Sequence, residues 1–243
     1  MSLLLLAMEG LARAQEVIPD LGAAVTSVVS GAEGDEVSTA VRLLVLLTAL
    51  SFLPAVLLLM TPFTRFVIVL SMMRQALGLQ QSPPNQVLVG LSLILSLLVM
   101  QPTLDEVENS ALEPFLSGQM ETGDAVSAGL APLRRFMLSH TRRDDLAASM
   151  RLAKVPRPHS LEEIPSTVVI TGFVLSELRT AFDIAVRVYI PFLVVDLVVA
   201  SVLLGMGMMM LPPVVISLPF KLLIFVLMDG WTLLITGLAG GFA

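Results

Sequence analysis

Residues 43–60 form an apolar run about as long as the roughly 20 residues a helix needs to cross a bilayer, and this run is one of several. Residues 87–100 make a second, only 14 residues long and too short for a straight crossing. A third follows Ser166, whose hydroxyl is placed to accept from the first free backbone N–H groups of a helix. A fourth holds Lys221 and Asp229. With 56% hydrophobic and 14% charged residues, the chain is far more apolar than a soluble domain of its length. These features predict an all-α, membrane-associated chain of helical hairpins.

Charge and residue usage exclude several functions. The net charge of -6 comes with no clustered basic face, so no nucleic-acid partner is expected. Absence of cysteine removes disulfides, thiolate metal sites and a cysteine nucleophile. His140 and His159 have no further ligand at metal-site spacing, so neither a metal nor another cofactor is expected.

Five segments are expected. Residues 1–14 carry a short apolar block followed by Ala12-Arg13-Ala14, the small-x-small pattern of a cleaved secretory signal. A positive n-region is missing and Glu9 follows closely, so a retained N-terminal helix is the alternative. Residues 15–40 are acidic and glycine-containing and read as a mobile segment. Residues 41–101 form the first apolar hairpin, with Pro54 as a kink. Its connecting loop, residues 61–86, contains Arg65 and Arg74 and no acid, which puts the loop on the cytoplasmic side. Residues 102–165 would then be periplasmic. They change from an acidic first half to a basic second half, with one helix starting at Pro132 and another near Asp144. Arg134, Arg135, Arg142, Arg143 and Arg151 lie off the apolar faces of these helices, as a solvated surface or a subunit contact. Residues 166–243 form the second hairpin.

Isolated charges in that hairpin are the first candidate site. Glu177, Arg179, Asp183 and Arg187 follow one another along a helix, the last three spaced by four and therefore stacked on one side. Asp196 sits among valines and leucines, where a lone carboxylate needs a partner or a water-filled interior. Lys221 and Asp229 are eight apart, within about 40 degrees on one helix face and roughly 12 Å apart along it. They are too far apart to pair directly. An ion pair across helices that holds the fold and a pair at a subunit seam or conduit wall are the two readings.

Met206, Met208, Met209 and Met210 are the second candidate site. They stand beside Gly205 and Gly207 and before Pro212 and Pro213, which predicts a helix end and a turn. Thioether side chains have three rotatable bonds, so a ring of them would seal around varied shapes and still yield; methionine as ordinary core filling is the plain alternative.

Three blocks, RFVIVLSMMRQALGLQQSPPNQVLVGL, PLRRFMLSHTRRDDLA and IPFLVVDLVVASVLLGMGMMMLPPVVISLPFKLLIFVLMDGW, together resemble the FliP family of type III export gates, over roughly residues 43–235. The resemblance implies a core channel subunit of the flagellar export gate, in the bacterial inner membrane at the basal body. It implies a FliP pentamer completed by FliR with FliQ outside, working with FliB-type, FlhA and FlhB export proteins and conducting unfolded flagellar proteins. It further implies tilted hairpins in a ring or pseudo-helical assembly lying largely above the membrane plane, which would account for the short second helix. The methionine gasket of the family maps onto Met206, Met208, Met209 and Met210. Asp183 and Arg187 depart from the family pattern, which carries uncharged residues there. An injectisome paralogue, a small-solute transporter and a membrane enzyme are the competing classes. The transporter lacks an internal repeat. The enzyme lacks a convincing acid–base pair, serine elbow or metal-binding helix motif, so no catalytic residue is named.

Overall fold

The computed structural model describes residues 36–242 apart from 157 and 209. The expected signal segment, most of the acidic segment and Met209 therefore lie outside the described residues. Among the described residues every regular element is helical. In order they are α1 (Glu36–Leu59), α2 (Phe63–Ala76), α3 (Asn85–Val107), a π-helical turn (Glu108–Leu112), α4 (Glu113–Leu116), α5 (Thr122–His140), α6 (Arg143–Leu152), a 3-10 turn (Leu161–Glu163), α7 (Ser166–Gly205), α8 (Pro213–Leu227) and α9 (Gly230–Gly240).

Two helices are long and apolar enough to cross a membrane, Asn85–Leu116 and Ser166–Gly205, and the number rises to four if each of two bent helix pairs counts as one span. The first of these corrects the expectation of a short second helix. Helix continues from Asn85 past Met100 and Pro102 because helix length is set by backbone hydrogen bonding, while the apolar run sets only the part suited to lipid. Pro102 removes a single intrahelical donor, and the acids beyond it are exposed. Pro54 and Pro191 likewise lie inside α1 and α7.

The chain divides into two compact units, each taking two stretches of sequence. Of the described residues, the first comprises 36–61 with Gln101–Ser176. Its core gathers Phe136, Met137, Leu146, Ile164, Val168, Val169 and Phe173, with Phe136 and Phe173 edge to face at 6.0 Å. Helix α5 begins at Thr122, ten residues before the expected start, and Pro132 is buried within it. Gly129 lies against Ala111 of the π-helical turn, where an added Cβ would make ordinary contact at 3.5 Å. Helix α6 starts at Arg143, close to the predicted Asp144. It packs tightly on the beginning of α7, where a Cβ on Gly172 would stand 3.0 Å from Ser149 Oγ and 3.2 Å from Leu146 Cα. Arg134 donates to the carbonyls of Leu161, Glu162 and Ile164 and to Ser166 Oγ, so this arginine ties α5 to the turn before α7. Ser166 is the first residue of α7 and its hydroxyl accepts from Arg134.

The second unit comprises Pro62–Met100 with Glu177–Ala243. Residues expected to form a cytoplasmic loop form α2 instead, whose Phe66, Val69, Leu70, Met73 and Ala76 recur at helical spacing and are buried. They join Leu88, Leu95, Ala181, Phe192, Phe225, Leu234 and Leu238 in one core. Helices α8 and α9 meet at 63° across a turn in which Asp229 takes a left-handed conformation, φ 48°. Gly230 follows it against the Phe225 ring, which a Cβ at that position would overlap. Gly230→Ala is expected to destabilise the unit by about 1–3 kcal/mol through overpacking. The neighbouring Trp231, the chain's single tryptophan, stands edge to face on Phe225 at 5.3 Å and reports the change as a lowered midpoint of thermal unfolding.

Candidate functional site

Three groups in the second unit form the candidate site, two of them polar and the third a methionine turn. In the first, Glu177 of α7 is fully buried and binds Arg65 of α2, itself 5% exposed. Arg65 Nε donates to Glu177 Oε2 at 2.8 Å and Nη2 donates to Oε1, a two-pronged contact that satisfies both carboxylate oxygens. Sequence reasoning singled out Glu177 and missed its partner, because Arg65 had been counted as a loop charge. The signal was present: Arg65 stands alone among Phe63, Phe66, Val67 and Ile68, as isolated as Asp196 among its valines.

The second group forms around Asp196 on α7. Lys221 of α8 donates to Asp196 Oδ2 at 2.6 Å and to the backbone carbonyl of Ala76 at 3.0 Å. Ser217, one helical turn before Lys221, donates to Asp196 Oδ1. Ala76 ends α2, so the ammonium also meets the negative end of that helix's dipole. Lys221 is buried while the Asp196 side chain is 31% exposed, which leaves the carboxylate reachable from outside the unit. Asp229 does not share a helix face with Lys221. Helix α8 stops at Leu227, and Asp229, exposed in the turn, begins a new direction. The eight-residue spacing therefore loses its meaning, since helical phase is lost where the helix breaks. Arg179, Asp183 and Arg187 are exposed along α7.

Asp196→Asn retains an acceptor for Ser217 and removes the counter-charge of a buried ammonium. It is expected to lower the stability of the solubilised protein, by less than removal of Glu177 because Asp196 keeps partial access to solvent. Thermal unfolding of the two variants side by side measures the order.

The third group is the methionine stretch. Helix α7 ends at Gly205 and the chain turns through Gly207, φ 76°. Met208 N–H donates to the Leu203 carbonyl and Gly207 N–H to the Leu204 carbonyl, the paired bonds that close a helix with a left-handed residue after its last turn. Glycine supplies that conformation without steric cost. The prolines open the following helix, Pro213 being its first residue, where a fixed φ suits the helix and the missing N–H has no partner to lose. Met206, Met208 and Met210 are all exposed, Met210 at 98%. Beside this turn Val194, Val198, Val202, Met206, Ile216 and Phe220 line an apolar groove of about 540 Å³ between α7 and α8.

Among the described residues no cluster of histidine, aspartate or glutamate has the makeup of a metal site. Long apolar helices, two ion-paired groups buried among them and an exposed methionine turn define an all-helical membrane-associated protein. The FliP family model matches residues 46–238, and the chain belongs to the FliP family. It is 49% identical to the flagellar biosynthetic protein FliP of Bacillus subtilis (strain 168) over 216 residues, 89% of this chain and 98% of that one. To the protein of the same name from Pectobacterium carotovorum it is 53% identical over 209 residues, 86% and 81% of the two chains. Against that of Aquifex aeolicus (strain VF5) the figures are 47% over 208 residues, 85% and 87%.

Proposed function

We propose that this chain is a flagellar biosynthesis protein of the export apparatus, and within it a channel subunit that conducts unfolded flagellar proteins across the inner membrane. One observation carries the channel reading. A 40-residue apolar helix ends in a glycine-capped turn whose methionines stand in the open, Met210 almost wholly so. A buried methionine fills a core; an exposed cluster at a helix end is available to meet its symmetry copies. Repeated around an axis, such side chains exclude water and ions while moving aside for a passing chain. FliR and FliQ would complete the assembly, with a pentamer of this chain at its centre and FlhA and FlhB beside it. The family membership and the wide apolar faces of α7 and α8 support that arrangement. Glu177 and Lys221 hold the helices that present the turn, and Asp196 stands where a neighbour or the conduit reaches it.

The chain has no cysteine, which makes the reading directly testable. A bulky thiol reagent attached to Met210→Cys is expected to stop export of flagellar proteins. The same reagent on Ser117→Cys, exposed in the first unit, is expected to leave export running. Full labelling at residue 210 with undiminished export would defeat the channel reading.

Residues 102–165 are proposed to face the periplasm. Arg65 is a buried ion-pair partner, and Arg74 is bound to the Pro83 carbonyl and Asn85 Oδ1. The absence of Lys and Arg from residues 15–40 remains in favour of an outer N-terminal side. Ser117→Cys is expected to react with a membrane-impermeant thiol reagent in intact spheroplasts, and reaction only after lysis would reverse the orientation.

A further inference from the structure

The buried Arg65–Glu177 pair has a third member that no sequence pattern marked. Phe242, two residues beyond the end of α9, lies over the guanidinium with Arg65 Cζ 3.7 Å from the ring centroid. The ring also neighbours Phe66, tilted at 46° and 6.1 Å away. Gly241 passes so close that a Cβ there would stand 3.1 Å from Arg65 Nη1. The guanidinium is planar, and Glu177 takes hydrogen bonds from Nε and Nη2 along its edge. What the carboxylate leaves is the flat face, and that is where the aromatic ring lies.

We propose that Phe242 is a positioning residue that closes over the Arg65–Glu177 pair, holding the guanidinium in the plane its two bonds to Glu177 require and keeping water from them. Edge and face of a guanidinium bind different groups without competition, so carboxylate and ring act on it together. The electron-rich ring face attracts the cation, more strongly where the cation is shielded from water, as Arg65 is; Phe242 itself is partly buried. Restriction to one plane also matters, since a two-pronged contact fails when the guanidinium twists. The consequence for the fold is that the segment after α9 secures a contact between α2 and α7, whose partners are 112 residues apart in sequence. This role goes beyond the export reading and holds whether or not the chain conducts protein.

Ordinary packing of Phe242 on Phe66 is the competing account, and ring electronics separate the two. In the full chain, solubilised in detergent, residue 242 is replaced by phenylalanines carrying one, two and three ring fluorines, which keep the shape and progressively remove the negative face. Thermal midpoints are followed by Trp231 fluorescence. The midpoint is expected to fall stepwise, by about 4–8 °C for the trifluorinated ring. In an Arg65→Met, Glu177→Leu background the same series is expected to be flat. A flat series in the parent, or equal slopes in both backgrounds, overturns the proposal. Should the doubly substituted chain not fold, the same series in a Phe66→Leu chain decides: an undiminished stepwise fall supports the contact with Arg65, and a flat series assigns the effect to ring packing and overturns the proposal.

Discussion

Glu177→Gln lowers the stability of the solubilised protein by about 3–5 kcal/mol, the range expected when one partner is taken from a buried ion pair. The size of the loss follows from the surroundings. Glu177 has no exposed surface and Arg65 has 5%, so the arginine left behind keeps its charge almost wholly shielded from water. Glutamine still offers one oxygen to the guanidinium and cannot balance its charge. Removing both charges is a different experiment. Arg65→Met with Glu177→Leu replaces the pair by apolar side chains of similar length, and such exchanges are commonly neutral or stabilising. The double variant is therefore expected to recover most of what the single one loses. Denaturant titration of the three proteins decides the matter: a loss below about 1 kcal/mol in Glu177→Gln would place the pair with exposed ion pairs in energy, against its burial.

Substituting alanine at Met206, Met208, Met209 and Met210 together is expected to leave folding and assembly intact and to open a leak to small ions. Folding survives because Met206, Met208 and Met210 are exposed and belong to no buried core, and the turn is closed by backbone bonds to Leu203 and Leu204 that alanine does not disturb. On the channel reading a leak follows, because alanine would keep the backbone path and remove the flexible bulk proposed to fill the axis. Symmetry enlarges the effect, since each substitution is repeated in every subunit of a ring. Conductance of the assembled gate in planar bilayers supplies the measurement. A conductance absent from the parent is the expected outcome, and an alanine variant that assembles fully yet stays as tight as the parent would return these methionines to the role of filling.

The two experiments probe different parts of one arrangement. The ion pair holds α2 against α7, and the methionine turn is carried on the free end of α7. A change at Glu177 therefore acts through the position of the helix and should reduce yield and stability first. A change at the methionines should act on permeability alone. Asp196 lies between these behaviours, bonded to Lys221 and Ser217 and still open on one side. An Asp196→Asn variant that assembled normally and failed to export would assign the carboxylate to the conduit, whereas lowered yield would assign it to the fold.

Local composition and spacing determined that the chain is helical and apolar, that Asp196 required a partner, and that a turn follows Gly205. These are short-range properties. Apolar runs, prolines and glycines act on the backbone within a turn or two of where they stand, so their effects are legible residue by residue. Spacing also placed the start of α6 within a residue, because an apolar face at helical period leaves little freedom there. The same reasoning stopped α3 too early at Met100, since hydropathy reads contact with lipid and carries no record of where backbone bonding continues. It joined Lys221 to Asp229 by helical phase, which holds only while one helix continues. What tertiary structure decided was pairing. Arg65 with Glu177, Lys221 with Asp196 and the Ala76 carbonyl, and Phe242 over Arg65 bring together residues 25 to 177 positions apart. Charge in an apolar segment announces that a partner is needed; which residue provides it depends on how separate helices pack, and no local pattern contains that information.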